Sequence, residues 1–186
     1  MLDFYQDRPS FISLKDKKNL VGVEIGVMSG KNAEDMLLHL DIKTLYLIDP
    51  FCNCDSMMGH GVLEDNKIGE ECFQATVKRM APFEDRVVII RETSLDAKDL
   101  IPSYLDFVYI DGNHRYPFVL GDIQNYNPKV IEGGQIAGHD FKTGEPGVQK
   151  AVRECFGDKF KQQMWDWWHI KEKMNEPNRQ TFIELT

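Results

Sequence analysis

The chain has 186 residues, with 22 Lys and Arg against 30 Asp and Glu, a formal charge of -8, and 42% hydrophobic residues. That is the length and composition of one ordinary globular domain with room for a core, and a net acidic balance argues against a nucleic-acid backbone as partner. No apolar run nears the roughly 18 residues that span a bilayer, and the start Met1-Leu-Asp-Phe-Tyr-Gln-Asp-Arg8 lacks a signal peptide's basic and apolar stretches, so the expectation is a cytoplasmic protein with no membrane partner.

Residues 1–19 are polar and mixed, and read as an N-terminal cap anchored by Phe4, Tyr5, Phe11 and Ile12. Leu20 to Ile25 then predicts a buried strand. It ends in a turn punctuated by Gly26 and Gly30, and a helix opens at about Lys31 with Ala33, Met36, Leu37 and Leu40 on one face. A second strand runs from Lys43 to Asp49 and stops at Pro50, which cannot donate to a ladder. The segment Phe51 to Gly61 is irregular, suited to a ligand cover or a plain connector, and a helix follows from Glu64 to Ala81.

Arg86 to Arg91 is almost continuously apolar, which predicts a parallel strand covered on both faces. After a helical turn over Leu95 to Ile101, a fourth strand from Leu105 ends in Asp111-Gly-Asn-His114. Pro117 opens a helix that stops before Pro128. Gly133-Gly134 turns into a fifth strand, Gln135 to Gly138, closed by His139-Asp140, and Pro146 starts a helix ending near Gly157. Met164–Lys173 and Arg179–Leu185, joined by Asn175-Glu-Pro-Asn178, predict a terminal hairpin. In that hairpin, alternation places Trp165 and Trp167 on one face and Trp168 on the other, as packing residues.

Alternating strands and helices imply an α/β fold, a parallel sheet with helices on both faces and ligands outside the carboxyl ends of its strands. Glu24, Gly26, Asp49, Ser94, Asp111, His114, His139 and Asp140 all fall at or just after such ends, so one rim gathers the candidate polar groups. The helix start offers outward N–H groups to an anion, and the glycines clear the approach of a ligand. Glu24 would repel a diphosphate, and Glu24-x-Gly26-x-x-x-Gly30 does not fit the dinucleotide pattern. Asp49 stands where a carboxylate commonly holds a ribose diol. A nucleoside cofactor with a carboxylate, an ammonium and a sulfonium, S-adenosylmethionine, meets each demand.

Val23-Glu-Ile-Gly26-Val-Met-Ser-Gly30, Leu47-Ile-Asp49, Tyr109-Ile-Asp111-Gly-Asn-His114 and Gly133-Gly-Gln-Ile-Ala-Gly-His-Asp140 resemble class I S-adenosylmethionine-dependent methyltransferases. The likeness is to the small-molecule O-methyltransferase branch with Asp-Gly-x-His after its fourth strand, which includes macrolide-sugar enzymes. It covers roughly Leu20 to Asp140. It implies a Rossmann-like three-layer sandwich around a mostly parallel seven-stranded sheet, order 3-2-1-4-5-7-6 with the last strand antiparallel. The single domain would divide into the cap (1–19), an α/β core (20–160) and the hairpin (161–186). The resemblance also implies that the Glu24–Gly30 turn contacts the methionine moiety, that Asp49 holds the ribose, and that Ser94 and Leu95 lie near the adenine.

For catalysis two readings stand. In metal-dependent relatives, acids after the fourth and fifth strands hold magnesium or another divalent ion. Asp111 and Asp140 match those places, although Phe141 replaces an Asn ligand. Otherwise His114 or His139 serves as general base beside Asp111. The expected partner is a small acceptor, and a homo-oligomer is compatible with the chain. A Rossmann-like nucleotide oxidoreductase and a catalytically silent cofactor-binding module are the alternatives. His39 and His169 carry no signal, while His60, in the glycine-rich loop, is placed where it could meet substrate. Among Cys52, Cys54, Cys72 and Cys155 the one close pair lacks the second ligand set of a zinc site, so reduced thiols are expected.

Overall fold

The computed structural model describes residues 3–52, 67–142 and 144–172. In chain order, α1 (Phe4–Asp7) and a 3-10 helix (Pro9–Leu14) precede β1 (Leu20–Ile25), α2 (Lys31–His39) and β2 (Ile42–Ile48). Then come α3 (Lys67–Met80), β3 (Val87–Ile90), α4 (Ser94–Ala97), β4 (Leu105–Ile110) and α5 (Tyr116–Tyr126). β5 (Val130–Gly138), α6 (Pro146–Phe156), β6 (Lys161–Gln163) and β7 (Asp166–Ile170) complete the described chain.

The seven strands form one sheet in the order β3-β2-β1-β4-β5-β7-β6. β3 to β5 run parallel, and β7 is antiparallel to both β5 and β6. This is the expected Rossmann-like arrangement. Side chains alternate across each strand, so the sheet feeds two cores. Val23, Ile25, Val108 and Ile110 face α4, α5 and α6, where Ala97, Ile123 and Val152 meet them. Leu45, Leu47, Phe107 and Tyr109 face the other layer, formed by the N-terminal cap with α2 and α3. Each fully buried Leu, Ile or Phe in these layers contributes about 1.5–3 kcal/mol of transfer free energy.

Several boundaries differ from expectation. β5 begins at Val130, so Gly133 and Gly134 lie inside the strand, where its pairing with β4 shifts register between Leu105 and Phe107. β3 is an edge strand, and Val88 is 42% exposed, so only one of its flanks is paired within the sheet. The hairpin is made by β6 and β7 and turns at Met164-Trp165, with Met164 at φ 54. Met164 and Trp165 therefore belong to the turn rather than to a strand, because β6 supplies the pairing that the sequence pattern had assigned to Arg179–Leu185. That segment, the Asn175–Asn178 connection, most of Phe51–Gly61 with Cys54 and His60, and the start of the Glu64–Ala81 helix lie outside the described residues. In the cap, Phe4 and Phe11 are buried but Ile12 is 55% exposed.

Candidate active site

Strand register builds the site. Ile25 pairs with Ile48 and Ile110, and Ile110 with Gly138, so four strands finish in one row. The next residues, Gly26, Asp49, Asp111 and His139, stand side by side along the carboxyl edge, across the switch point between β1 and β4. A cavity of about 1450 Å³ opens over this row, and Glu24, Gly26, Asp49, Ser94, Asp111 and His114 line it.

Glu24 is 1% exposed although it is an acid. Asn32, in the first turn of α2, donates from Nδ2 to Oε1 at 2.8 Å, while Oε2 is buried with no partner. Burial pushes the carboxyl up to about 8; the Asn32 bond opposes that, the Asp111 and Asp49 charges add to it, and Arg8 opposes it. With protein groups alone around it, Glu24 is largely neutral at pH 7. A cation placed at Oε2 would favour its ionised form.

Asp49 braces the turn. Its Oδ2 accepts from the Val27 and Met28 N–H groups at 2.8 and 2.9 Å, and Oδ1 from Phe51 N–H at 2.7 Å. Three of roughly four lone-pair positions are thus committed, leaving about one for a ligand hydroxyl. The glycine of the turn has a different role from the one expected. At Gly26, with φ +85, a Cβ would lie 2.3 Å from the Asp111 carbonyl oxygen, so the missing side chain admits the neighbouring strand end rather than a ligand. Gly30, at φ 75, is the N-cap of α2 and provides no side-chain cap, which leaves first-turn N–H groups for another acceptor.

Beyond β4 and β5, the side chains of His114, His139 and Lys142 converge on Asp140, whose own backbone is left-handed at φ 59. His114 Nε2 lies 3.0 Å from Asp140 Oδ2 and 3.8 Å from Asp111 Oδ1. His139 Nδ1 lies 3.4 Å from Asp140 and 3.9 Å from Asp111, and Lys142 Nζ sits 2.5 Å from Asp140 Oδ1. Burial alone would raise Asp140, but His114, His139 and Lys142 outweigh it and hold the carboxyl well below the usual range. The Asp111 and Asp140 carboxylates in turn push the His114 imidazole up to about 10, and Asp140 is the one at hydrogen-bond length. His114 is therefore an imidazolium at neutral pH. In that form it is set up to donate a proton rather than to accept one.

The third strand's end contributes less than expected. Ser94 lines the cavity and donates its hydroxyl to Asp122, a buried acid raised by burial to about 6. Leu95 is 57% exposed and is not part of the cavity wall. Trp167 and Trp168 pack on opposite sheet faces, but Trp165 is 53% exposed, edge-on to His139 at 5.7 Å with Lys142 over its ring at 4.6 Å. Arg8, Asn32, Asp122 and Lys142 were absent from the sequence reading. Asn32 alone carried a signal, as a polar residue in the first helical turn after a buried acid.

Residues 23–141 match the model of a family described as a methyltransferase domain. The chain belongs to that family. The matched span contains Glu24, Asp49, Asp111, His139 and Asp140, and membership in a methyltransferase family displaces the oxidoreductase alternative. The uncharacterized protein R132 of Acanthamoeba polyphaga mimivirus is 28% identical over 145 residues, 77% of this methyltransferase domain and 62% of R132, so the chain spans under two thirds of that relative's length. Among solved structures, the O-methyltransferase NovP superposes with a TM-score of 0.65 at 19% identity, covering 91% of this chain and 78% of NovP. SMU.1697c from Streptococcus mutans, in complex with SAH, gives 0.63 at 12%, covering 90% and 97%. CalS11, a TDP-rhamnose 3'-O-methyltransferase, gives 0.62 at 14%, covering 90% and 78%. At these identities the likeness is one of fold.

S-adenosylmethionine is the cofactor expected of this family. Whether a divalent ion fits is decided at Asp140. Donor atoms of Asp111, His139 and Asp140 lie within 4.8 Å of one another, close enough to share an ion. Both Asp140 oxygens, however, already face cations, Lys142 on one and His114 on the other. Phe141, packed against Phe160 at 5.3 Å, provides no oxygen ligand. As arranged, the protein's own cations face both Asp140 oxygens, and an ion shared with Asp111 and His139 would have to displace His114 from Oδ2 or Lys142 from Oδ1.

Proposed function

We propose that this domain transfers the methyl group of S-adenosylmethionine to a hydroxyl oxygen of a small polar acceptor, sugar-like in character. The observation that carries the reading is Glu24: a buried carboxyl, half satisfied by Asn32 and with its other oxygen unpartnered, on a residue that lines the cavity at the switch point. Such a group suits the ammonium and sulfonium of the cofactor. The uncapped start of α2 suits its carboxylate, and the remaining acceptor position of Asp49 suits a ribose hydroxyl. Ser94 and Asp122 occupy the wall on the side assigned to the adenine.

The acceptor oxygen attacks the methyl carbon in line. The C–S bond breaks with its electron pair passing to sulfur, which yields S-adenosylhomocysteine, and the hydroxyl proton goes to Asp111, the acid of the cluster that lines the cavity. His139 faces Asp111 at 3.9 Å, while the His114 imidazolium, held on Asp140, offsets the negative charge the acceptor oxygen gains as its proton leaves. Most of the rate would come from holding the two reactants in line. Methylation at oxygen is supported by the O-methyltransferases NovP and CalS11, which share the fold, and a sugar-like acceptor by CalS11, which acts on TDP-rhamnose.

The test is S-adenosylhomocysteine formation against a panel of sugars, nucleotide sugars and phenols, with calorimetry for the cofactor. Turnover with a hydroxylated acceptor supports the proposal. Cofactor binding without turnover on any member favours the silent binding module, and methylation at nitrogen or carbon refutes the oxygen assignment.

A further inference from the structure

Cation-binding groups dominate the cavity wall, yet the cofactor assigned to it is a zwitterion. Resting on that assignment, we propose that Arg8 joins the open N–H groups at the start of α2 in binding the amino-acid carboxylate of S-adenosylmethionine, opposite the ammonium held near Glu24. Arg8 links α1 to the 3-10 helix and lines the same cavity as Glu24 and Asn32, with its side chain 20% exposed. Nη1 is engaged by Asp7, 3.1 Å from its carboxylate and 3.2 Å from its carbonyl oxygen. Nε is buried and has no acceptor. A buried donor left unpaired is costly, and a guanidinium presents Nε with one Nη as a planar fork matched to a carboxylate. The free edge of Arg8 is the edge such a fork uses.

Other cations on the wall are otherwise disposed. Lys31 is held by Asp35 at 2.6 and 2.7 Å, His114 is held by Asp140, and Arg115 is exposed. The influence of Arg8 on the Glu24 carboxyl places the two charges within electrostatic reach of each other, as the two ends of an amino acid require. Arg8 is also pre-positioned. Two residues on, Ser10 donates through its N–H and hydroxyl to the buried Asp166, which accepts from Tyr109 as well, and Gln135 donates to the Ser10 carbonyl. The segment carrying Arg8 is thus fastened to β4, β5 and β7 with little freedom left to lose on binding.

The experiment pairs a change in the protein with a change in the ligand. Calorimetry compares S-adenosylmethionine with decarboxylated S-adenosylmethionine, on the full chain and on its Arg8→Gln variant. Loss of the ligand carboxylate should weaken binding to the unmodified chain about 10- to 100-fold. R8Q should weaken S-adenosylmethionine by a similar factor and leave the decarboxylated ligand within about two-fold, a non-additivity that a purely structural role of Arg8 would not produce. Equal losses for both ligands overturn the inference, as does an R8Q effect confined to the KM of an anionic acceptor. Should R8Q fail to fold, Arg8→Lys keeps the charge without the fork, and the same non-additivity decides. No binding of S-adenosylmethionine by the unmodified chain would instead remove the proposed function, an outcome distinct from binding with equal losses.

Discussion

Replacing Glu24 with Gln should remove most of the alkaline weakening of the ligand-free protein. The unfolded carboxyl titrates near 4.5 and the folded one at about 8, so the native state retains a proton that the unfolded chain has already released. A raised acid contributes stability that is fully present below the unfolded value and is lost as pH climbs through the folded value. Integrated from pH 5 to pH 8, the loss is about 3.5 kcal/mol at 1.36 kcal/mol per pH unit, an upper limit for so buried a group. For a domain of this size that corresponds to a fall in Tm of about 7–14 °C. Gln keeps an acceptor for Asn32, and any fixed cost of its amide cancels when slopes are compared. The assay is thermal unfolding of both proteins across that range without ligand. Parallel curves would refute the argument, because every other titrating group is common to the two chains.

Other substitutions test the rest of the rim. Gly26→Ala puts a Cβ 2.3 Å from the Asp111 carbonyl oxygen at a positive φ, and should cost about 2–4 kcal/mol with loss of cofactor binding; an unchanged unfolding midpoint would contradict the close approach. His114→Gln should lower turnover about 100-fold while cofactor affinity changes less than about two-fold. Since this imidazole stays protonated up to about 10, a rate limb titrating near neutrality that vanishes in the variant would restore His114 as the base. Lys142→Met vacates one Asp140 oxygen and should raise the affinity for manganese at Asp111, His139 and Asp140 about tenfold or more, read by calorimetry; equal affinities in the two proteins would show that Lys142 does not compete for the ion's place.

The strand ends were legible because the parallel register is written into apolar runs that stop together. Glu24, Asp49, Asp111 and His139 each follow or close such a run, and the register brings them into one row. Their neighbours were not legible. Arg8 acts on Glu24 across the fold, Lys142 reaches Asp140 only because the chain turns left-handed there, and neither lies in a patterned segment. Leu95 looked equivalent to Ser94 in the sequence, but helical geometry turns it outward. The roles of His114 and Gly26 depend on distances of a few ångströms to another strand's end, which composition and spacing do not carry. Trp165 was misplaced because alternation is a rule of strands, and this residue sits in a turn.

The Ser10–Asp166 contact joins positions 156 apart in sequence, and Tyr109 shares the same carboxylate. During synthesis the central strands and their helices can pair as they emerge, but the segment bearing Arg8 lacks its Asp166 anchor until β7 has left the ribosome. This segment is then made well before its last contacts can form. A nascent chain halted before Asp166 would carry the glycine turn and Glu24 without the Ser10 anchor. Truncation series that stop on either side of this residue should therefore separate formation of the sheet from acquisition of tight ligand binding, and a cofactor affinity that does not change across that boundary would show the anchor to be dispensable.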